Sequence, residues 1–278
     1  MKAIAQSCKY QKLRSNAINR RQSLLISVLA LLFIVIPVRA EELAVAAAAD
    51  LKFAMADVAA QFEKQTGNKV NVTYGSSGNF FSQLQNGAPF DLFFSADIDY
   101  ARRLESAGLI EPGSLYMYAI GRIALWAATD SNLDLGLGWK VLLDDRVQKI
   151  AIANPDHAPY GRAAIAAMKK AGVYDQGKSK LVFGDNISQA AQFAQSGNAQ
   201  VGIVALSLAI SPGMRNGKRW DIPANMHPPI EQAAVLIKNA KNKQGARAFL
   251  DFVKTDAARA TLAKHGFTFP AVKGGGAK

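Results

Sequence analysis

Short apolar runs that end in a turn of small residues and reopen as a helical pattern recur along this chain, and that recurrence restricts the fold more than any other feature. The fullest example is Val70 to Phe81, Val-Asn-Val-Thr-Tyr-Gly-Ser-Ser-Gly-Asn-Phe-Phe. Val70, Val72 and Tyr74 alternate as a half-buried strand does, Gly75 and Gly78 permit tight or left-handed backbone, and Ser76 and Ser77 stand where a helix N-cap belongs. The first N–H groups of a helix lack an intrahelical partner and sit at the positive end of its dipole. Such a turn can receive an oxyanion without Lys or Arg. One capped turn alone serves stability; several aimed at one point make a binding site.

The same pattern is met elsewhere. Leu43 to Ala48 is a buried-strand run followed by Ala49-Asp50-Leu51, with Asp50 placed to cap a helix carrying Phe53, Met55, Val58 and Phe62, and Gly67-Asn68 ends that helix. Asp91 to Asp97 reads as a third strand, with Asp97 capping the helix through Leu104. Three strand–helix units in succession predict a parallel sheet covered by helices. Tyr116 to Ala128 is a long extended run suited to crossing between lobes. A second series follows: strand Ile150 to Ala153, loop Asn154 to Gly161, helix Arg162 to Ala171, strand Leu181 to Phe183, then a turn in which Asp185 or Asn186 caps the next helix. Pro159 fixes the start of one helix, and Gly161 is placed to let backbone approach a ligand closely. Gln200 to Ala205 and Ala233 to Ile237 are further buried strands, the latter returning to the first lobe, and a terminal helix spans Gln244 to Lys254. The fold class expected is α/β: two Rossmann-like lobes joined by two crossing segments, with 41–122 and 233–278 in lobe 1 and 123–232 in lobe 2.

The first forty residues stand outside this pattern. They combine a basic region free of acidic residues, an apolar run from Leu24 to Val38, and the small-residue pattern Val38-Arg39-Ala40, which together read as a secretory leader cut before Glu41. Pro37 and the adjoining Glu41 and Glu42 argue against a retained anchor, while Arg20-Arg21 leaves the export route open. The leader holds seven of the 33 Lys and Arg and none of the 21 Asp and Glu, so the exported part keeps 26 against 21, about +5 in place of +12. Mild basicity suits small anions and gives no argument for nucleic acid. Cys8, the one cysteine, falls in the leader, which excludes disulfides and thiol chemistry from the remainder. Lys273 to Lys278 reads as a disordered tail.

Enzymatic patterns are missing. Gly-Ser-Ser-Gly at 75–78 is not the G-x-S-x-G nucleophile elbow, and His157, His227 and His265 are scattered over loops without H-E-x-x-H spacing. His157 borders the expected cleft without a catalytic partner in sequence. Asp91, Asp97 and Asp99 do not have the spacing of a calcium loop.

The motifs taken in order are A-A-A-x-L at Ala47 to Leu51, aromatic-small-S-S at Tyr74 to Ser77, G-A-P-x-D-L-F-x-S-A-D from Gly87 to Asp97, N-P-x-H-x-P-x-G from Asn154 to Gly161, and G-I-V at Gly202 to Val204. In this order they resemble the periplasmic oxyanion-binding proteins, in particular the molybdate-binding family of ABC importers, from about Leu43 to Phe269. The resemblance implies a monomer, free of any cofactor, that holds a tetrahedral dianion, molybdate or tungstate, between its lobes and delivers it to a membrane permease. It further implies that Ser77 contributes its hydroxyl, that Tyr160 and Ile187 contribute backbone N–H groups, and that Asp50 occupies the first-turn ligand position. Ala49, Ser76, Gly161 and Ser188 are secondary candidates.

Two positions depart from that family. A tyrosine that several members carry after the G-I-V strand is Ala205 here, for which the Tyr160 phenol is a substitute. The hydroxyl or amide usual in the first turn is Asp50, and a carboxylate repels a dianion at any dielectric. Three arrangements relieve this. The side chain can turn away to cap its own helix while its N–H binds, it can pair with Lys52 or another cation, or it can accept a proton from a protonated ligand. The last would make the ligand hydrogen phosphate or arsenate; the capping role favours the side chain turned away.

Overall fold

The computed structural model describes residues 42–270; the leader and the glycine-rich tail lie outside the described residues. Seven residues, Glu42–Ala48, form β1, and the chain then turns through one 3-10 turn, Ala49–Leu51, into α1, Lys52–Thr66. β2 (Lys69–Gly75), α2 (Ser77–Gln85), β3 (Leu92–Ser95) and α3 (Ile98–Ser106) repeat the motif. Gly67, with φ of 75°, closes α1 in the left-handed conformation that a Cβ would penalise, as the Gly-Asn signal predicts.

β4 (Tyr116–Gly121) and β5 (Ile123–Ala127) are separated by Arg122 alone, and each joins a different sheet. The second half then places β6 (Ile150–Ala153), α4 (Pro159–Lys170), β7 (Leu181–Gly184), α5 (Ile187–Gln195) and β8 (Val201–Ala205), followed by β9 (Lys218–Asp221). β10 (Ile230–Leu236) returns to the first sheet, and the chain ends in α6 (Lys243–Val253) and α7 (Asp256–Lys264).

The strand orders are β2-β1-β3-β10-β4 and β7-β6-β8-β5-β9. In each sheet four strands run in one direction, three of them supplied by strand–helix units, and one runs opposite to them: β10 in the first sheet and β5 in the second. The parallel run expected from the three strand–helix units is present as β2-β1-β3, and the crossing strands make each whole sheet mixed. The physical reason is the crossing: β5 and β10 enter their sheets directly from the other half rather than through right-handed helical crossovers, and they run in the opposite sense. β9, α7 and a 3-10 segment at Leu135–Leu143 were not expected from the sequence.

Alternation along β1 sets the packing. Leu43, Val45 and Ala47 face a core with Met55, Val58 and Phe62 of α1 and Phe249 of α6, while Ala46 faces Phe80, Phe93 and Leu104 on the other side. Phe62 meets Phe249 edge-on at 5.0 Å between ring centroids. Burying side chains of this size contributes about 1.5–3 kcal/mol each, which fixes α1, and with it the turn at Asp50, against the sheet. Alanines at Ala48, Ala49 and Ala96 pack instead into the core of the second sheet. Thus the turns at the ends of β1 and β3 are where the two halves touch. No helix among the described residues is long and apolar enough to cross a membrane.

Candidate functional site

The ends of the strands bring Asp50, Ser77, Tyr160 and Ile187 around one small cavity of about 10 Å3, together with Ala49, Ser76, Gly75, Ala96, Ala158 and Pro159. That is room for about one water-sized group, far below the roughly 300–1,000 Å3 of sites for drug-sized molecules. A wider groove of about 430 Å3 opens beside it at Asp97, Arg162 and Pro228 to Glu231, but Asp97 and Arg162 within it are bound to each other at 2.5 Å.

Each donor at the cavity follows from a helix start. Ser76 is the N-cap of α2, and its Oγ accepts from the Asn79 N–H, which leaves the N–H of Ser77 at the first helical position without an intrahelical acceptor. Asn186 caps α5 by accepting from Ser188 and Gln189, so the Ile187 N–H is left in the same way. α4 begins with Pro159 after Ala158, which has no capping side chain, and the Tyr160 N–H lies in its uncapped first turn. The Ser77 hydroxyl is 1% exposed and accepts from the Ala96 N–H at 2.9 Å. With its acceptor side used, its proton is free to donate into the cavity.

The secondary candidates have other partners. Ser76 Oγ is 2.8 Å from His157 Nδ1, and Ser188 Oγ donates to the Ala49 carbonyl at 3.0 Å. Gly161 is not on the cavity wall; a Cβ there would run into the Ala153 carbonyl, so the glycine lets α4 press on β6. The close approach belongs to Gly78, whose N–H donates to the His157 carbonyl at 2.9 Å and where a Cβ would lie 2.6 Å from that oxygen. His157 therefore joins the two halves through both its ring and its backbone.

Asp50 differs from the capping residue that the sequence predicts. Neither the 3-10 turn nor α1 has a side-chain cap, and Lys52 is exposed and makes no ion pair with it. Instead the carboxylate is 1% exposed, and Oδ2 accepts from the Tyr160 hydroxyl at 2.8 Å and from Gln232 Nε2 at 2.7 Å. Gln232 Oε1 accepts from the Tyr118 hydroxyl at 2.6 Å, which orients the amide with its N–H groups toward Asp50. Oδ1 is buried with no hydrogen-bond partner. Burial pushes the Asp50 carboxyl up to about 6, against the pull downward from Gln232, from Tyr160 and, more weakly, from the nearby backbone N–H groups of Asp50 and Leu51, neither of which makes a well-formed hydrogen bond to Oδ1. Burial, reinforced by the neighbouring carboxylate, holds the Tyr118 and Tyr160 phenols well above their usual range, so both remain donors.

The site thus offers an oxyanion several N–H donors, one hydroxyl, and one acidic neighbour. At a separation of about 4 Å, a carboxylate repels a single negative charge by about 4 kcal/mol at an effective dielectric of about 20, and a dianion by about twice that. Gln232 and Tyr118 were not singled out as site residues in the sequence. The available signal was a glutamine and a tyrosine within largely apolar strands, and both are buried.

A family model described as bacterial extracellular solute-binding protein matches residues 43–268. The molybdate-binding protein of Azotobacter vinelandii is 40% identical over 230 residues, covering 82% of this chain and 90% of its own length. That of Rhodobacter capsulatus is 40% identical over 232 residues, covering 84% of this chain and 90% of its own length. The solved structure of the Azotobacter vinelandii periplasmic molybdate-binding protein superposes with a TM-score of 0.77 at 35% identity, over 83% of this chain and 99% of that one.

Proposed function

The chain belongs to the bacterial extracellular solute-binding proteins, and on that premise we propose that it captures molybdate or tungstate in the cavity at Ser77 and hands it to the membrane permease of an ABC importer. Members of this family bind and deliver solutes rather than transform them, so no catalytic residue is assigned. The observation that supports the ligand class is the convergence of the Ser77 hydroxyl with the first-turn N–H groups at Ser77, Tyr160 and Ile187 on a cavity lined by no Lys or Arg. Several fixed dipoles of this kind stabilise a small anion, each by about 0.3–1 kcal/mol when exposed and by more when desolvated. The relatives named above favour a dianion over hydrogen phosphate or arsenate.

Binding works through closure in this reading. The lobes are 41–122 with 233–278, and 123–232, and they rotate about Arg122 and the stretch leading into Gln232. A ligand held from both sides favours the closed arrangement, whose outer surface the permease recognises. The protein acts as a monomer in the periplasm, reached through cleavage before Glu41. Asp50 contributes through its first-turn position, with Ser77, Tyr160 and Ile187 as the principal donors.

A thermal-shift panel with molybdate, tungstate, sulfate, phosphate and arsenate tests the reading. A ligand at a hundred times its Kd stabilises the folded state by about 2.7 kcal/mol. Large shifts with molybdate and tungstate, and small ones with phosphate and arsenate, are the expected pattern; the reverse would replace the ligand class.

A further inference from the structure

The Asp50 carboxylate poses a problem for the oxyanion reading, on which the following inference rests. Oδ2 is saturated: the Tyr160 hydroxyl and Gln232 Nε2 both donate to it, and the chain of donors running from Tyr118 through Gln232 ends there. Oδ1 has no partner although the residue is almost wholly buried and lines the cavity. A buried acceptor left unpaired is unfavourable by itself, and facing an anion it is repulsive.

We propose that Asp50 enters the ligand complex as a neutral carboxylic acid, with Oδ2 remaining the acceptor for Tyr160 and Gln232 and Oδ1 carrying a proton that it donates to a ligand oxygen. One proton from solvent is taken up as the dianion binds, and it returns to solvent on release. This assigns the proton to a particular atom, because Oδ2 already receives two hydrogen bonds. It also converts the one repulsive group of the site into a further donor, equivalent in role to the Ser77 hydroxyl.

Burial favours the neutral form, and no neighbouring positive charge opposes it. From β4 and α4 the groups set against the carboxyl are the phenols of Tyr118 and Tyr160, and from β10 the neutral amide of Gln232. Ser207, in the one-turn helix after β8, donates to the Asp50 carbonyl at 2.7 Å, and α5 presents Ile187 and Ser188 beside the same turn. Tyr74, at the end of β2, is a phenol held up at about 12 by burial. Lys52 on α1 is exposed, and Arg122 at the β4–β5 link acts on His227. Among the described residues no cation pairs with Asp50. Burial has already raised the carboxyl to about 6, so protonating it at pH 7 requires only about a tenfold shift in population, about 1.4 kcal/mol.

Calorimetric titration of the purified protein with molybdate, repeated at each pH in buffers of different ionisation enthalpy, counts the protons. Uptake close to one at pH 8, falling toward zero below pH 6, with affinity weakening about tenfold per pH unit above pH 7, is expected for the wild type. Asp50→Asn keeps a donor at the same place and is expected to bind with no uptake and no such pH slope. Zero uptake by the wild type at pH 8 overturns the proposal while leaving the oxyanion reading intact. Uptake that persists in Asp50→Asn also overturns it, by placing the proton on the ligand. A measurement independent of the variant is the infrared difference spectrum at pH 8: a protonated-carboxyl stretch is expected to appear on molybdate binding, and its absence counts against the proposal. If no oxyanion in the panel produces heat or thermal shift, the reading beneath the inference falls, and the inference with it.

Discussion

Asp50 and Ser77 occupy comparable places, each just after a strand of the first sheet, each 1% exposed, each on the wall of the same cavity. Their electrostatic states are opposite. Ser77 accepts one hydrogen bond from the Ala96 N–H and keeps a proton to offer; Asp50 accepts two on one oxygen and leaves the other bare. The difference teaches that burial at a helix start does not fix polarity. What decides it is how many donors the surrounding strands and helices have already aimed at the side chain. Around Ser77 that number leaves a donor, and around Asp50 it leaves an acceptor.

The sharpest way to break this contrast is to make the two positions alike. In Asp50→Asn the ligand-free protein is expected to gain up to about 3 kcal/mol at pH 7.5, from a shift of about two pH units between the unfolded value of 3.8 and about 6 in the fold. The sign follows from the raised value: the stabilising share of the neutral acid is complete below pH 3.8 and is lost as pH rises through 6. Denaturant unfolding of both proteins from pH 4 to 8 checks this, and a gain independent of pH would show that ionisation is not its source. Next in size, Ser77→Ala is expected to weaken molybdate binding by about 2 kcal/mol, roughly thirtyfold, by leaving a ligand oxygen unpaired. Unchanged calorimetric affinity would remove Ser77 from the site.

Tyr160→Phe sharpens the comparison from the Asp50 side. It removes one of two donors to Oδ2 and is expected to destabilise the protein by about 1.5 kcal/mol at pH 7.5, with the loss shrinking at low pH as the carboxyl becomes neutral. A loss equal at pH 4 and pH 7.5 would mean that packing, not the hydrogen bond, was at stake. The smallest effect belongs to Arg162→Met. Its ion pair with Asp97 is partly exposed, at 40% and 27%, so a change under about 1 kcal/mol that fades in high salt is expected from thermal unfolding.

How much of this was legible in the sequence depends on whether the signal is local. Capping by Ser76, Asp97 and Asn186, and the end of α1 at Gly67, depend on a few neighbouring residues and can be read from them. The crossing between sheets was readable because one apolar run is too long for a single strand, and it divides at Arg122. Asp50 was misread as a cap because Asp before an apolar helical pattern is an ordinary N-cap signal. Its real partners, Tyr160 and Gln232, lie 110 and 182 residues away. The packing role of Gly161 was hidden for a similar reason: its neighbour in space is the backbone of β6, which no local pattern reveals. Gln232 is a fully buried strand residue bonded on both sides, through contacts that no local pattern reveals.

The uncapped N–H groups at Tyr160 and Ile187 have a consequence for how such a protein changes over generations. A donor that belongs to the main chain survives the exchange of the side chain it carries, provided the helix still begins at the same residue. Drift at these positions can therefore alter every letter of the contact while its chemistry persists. What is inherited is the place where each helix starts, set by Pro159 in one case and by Asn186 in the other.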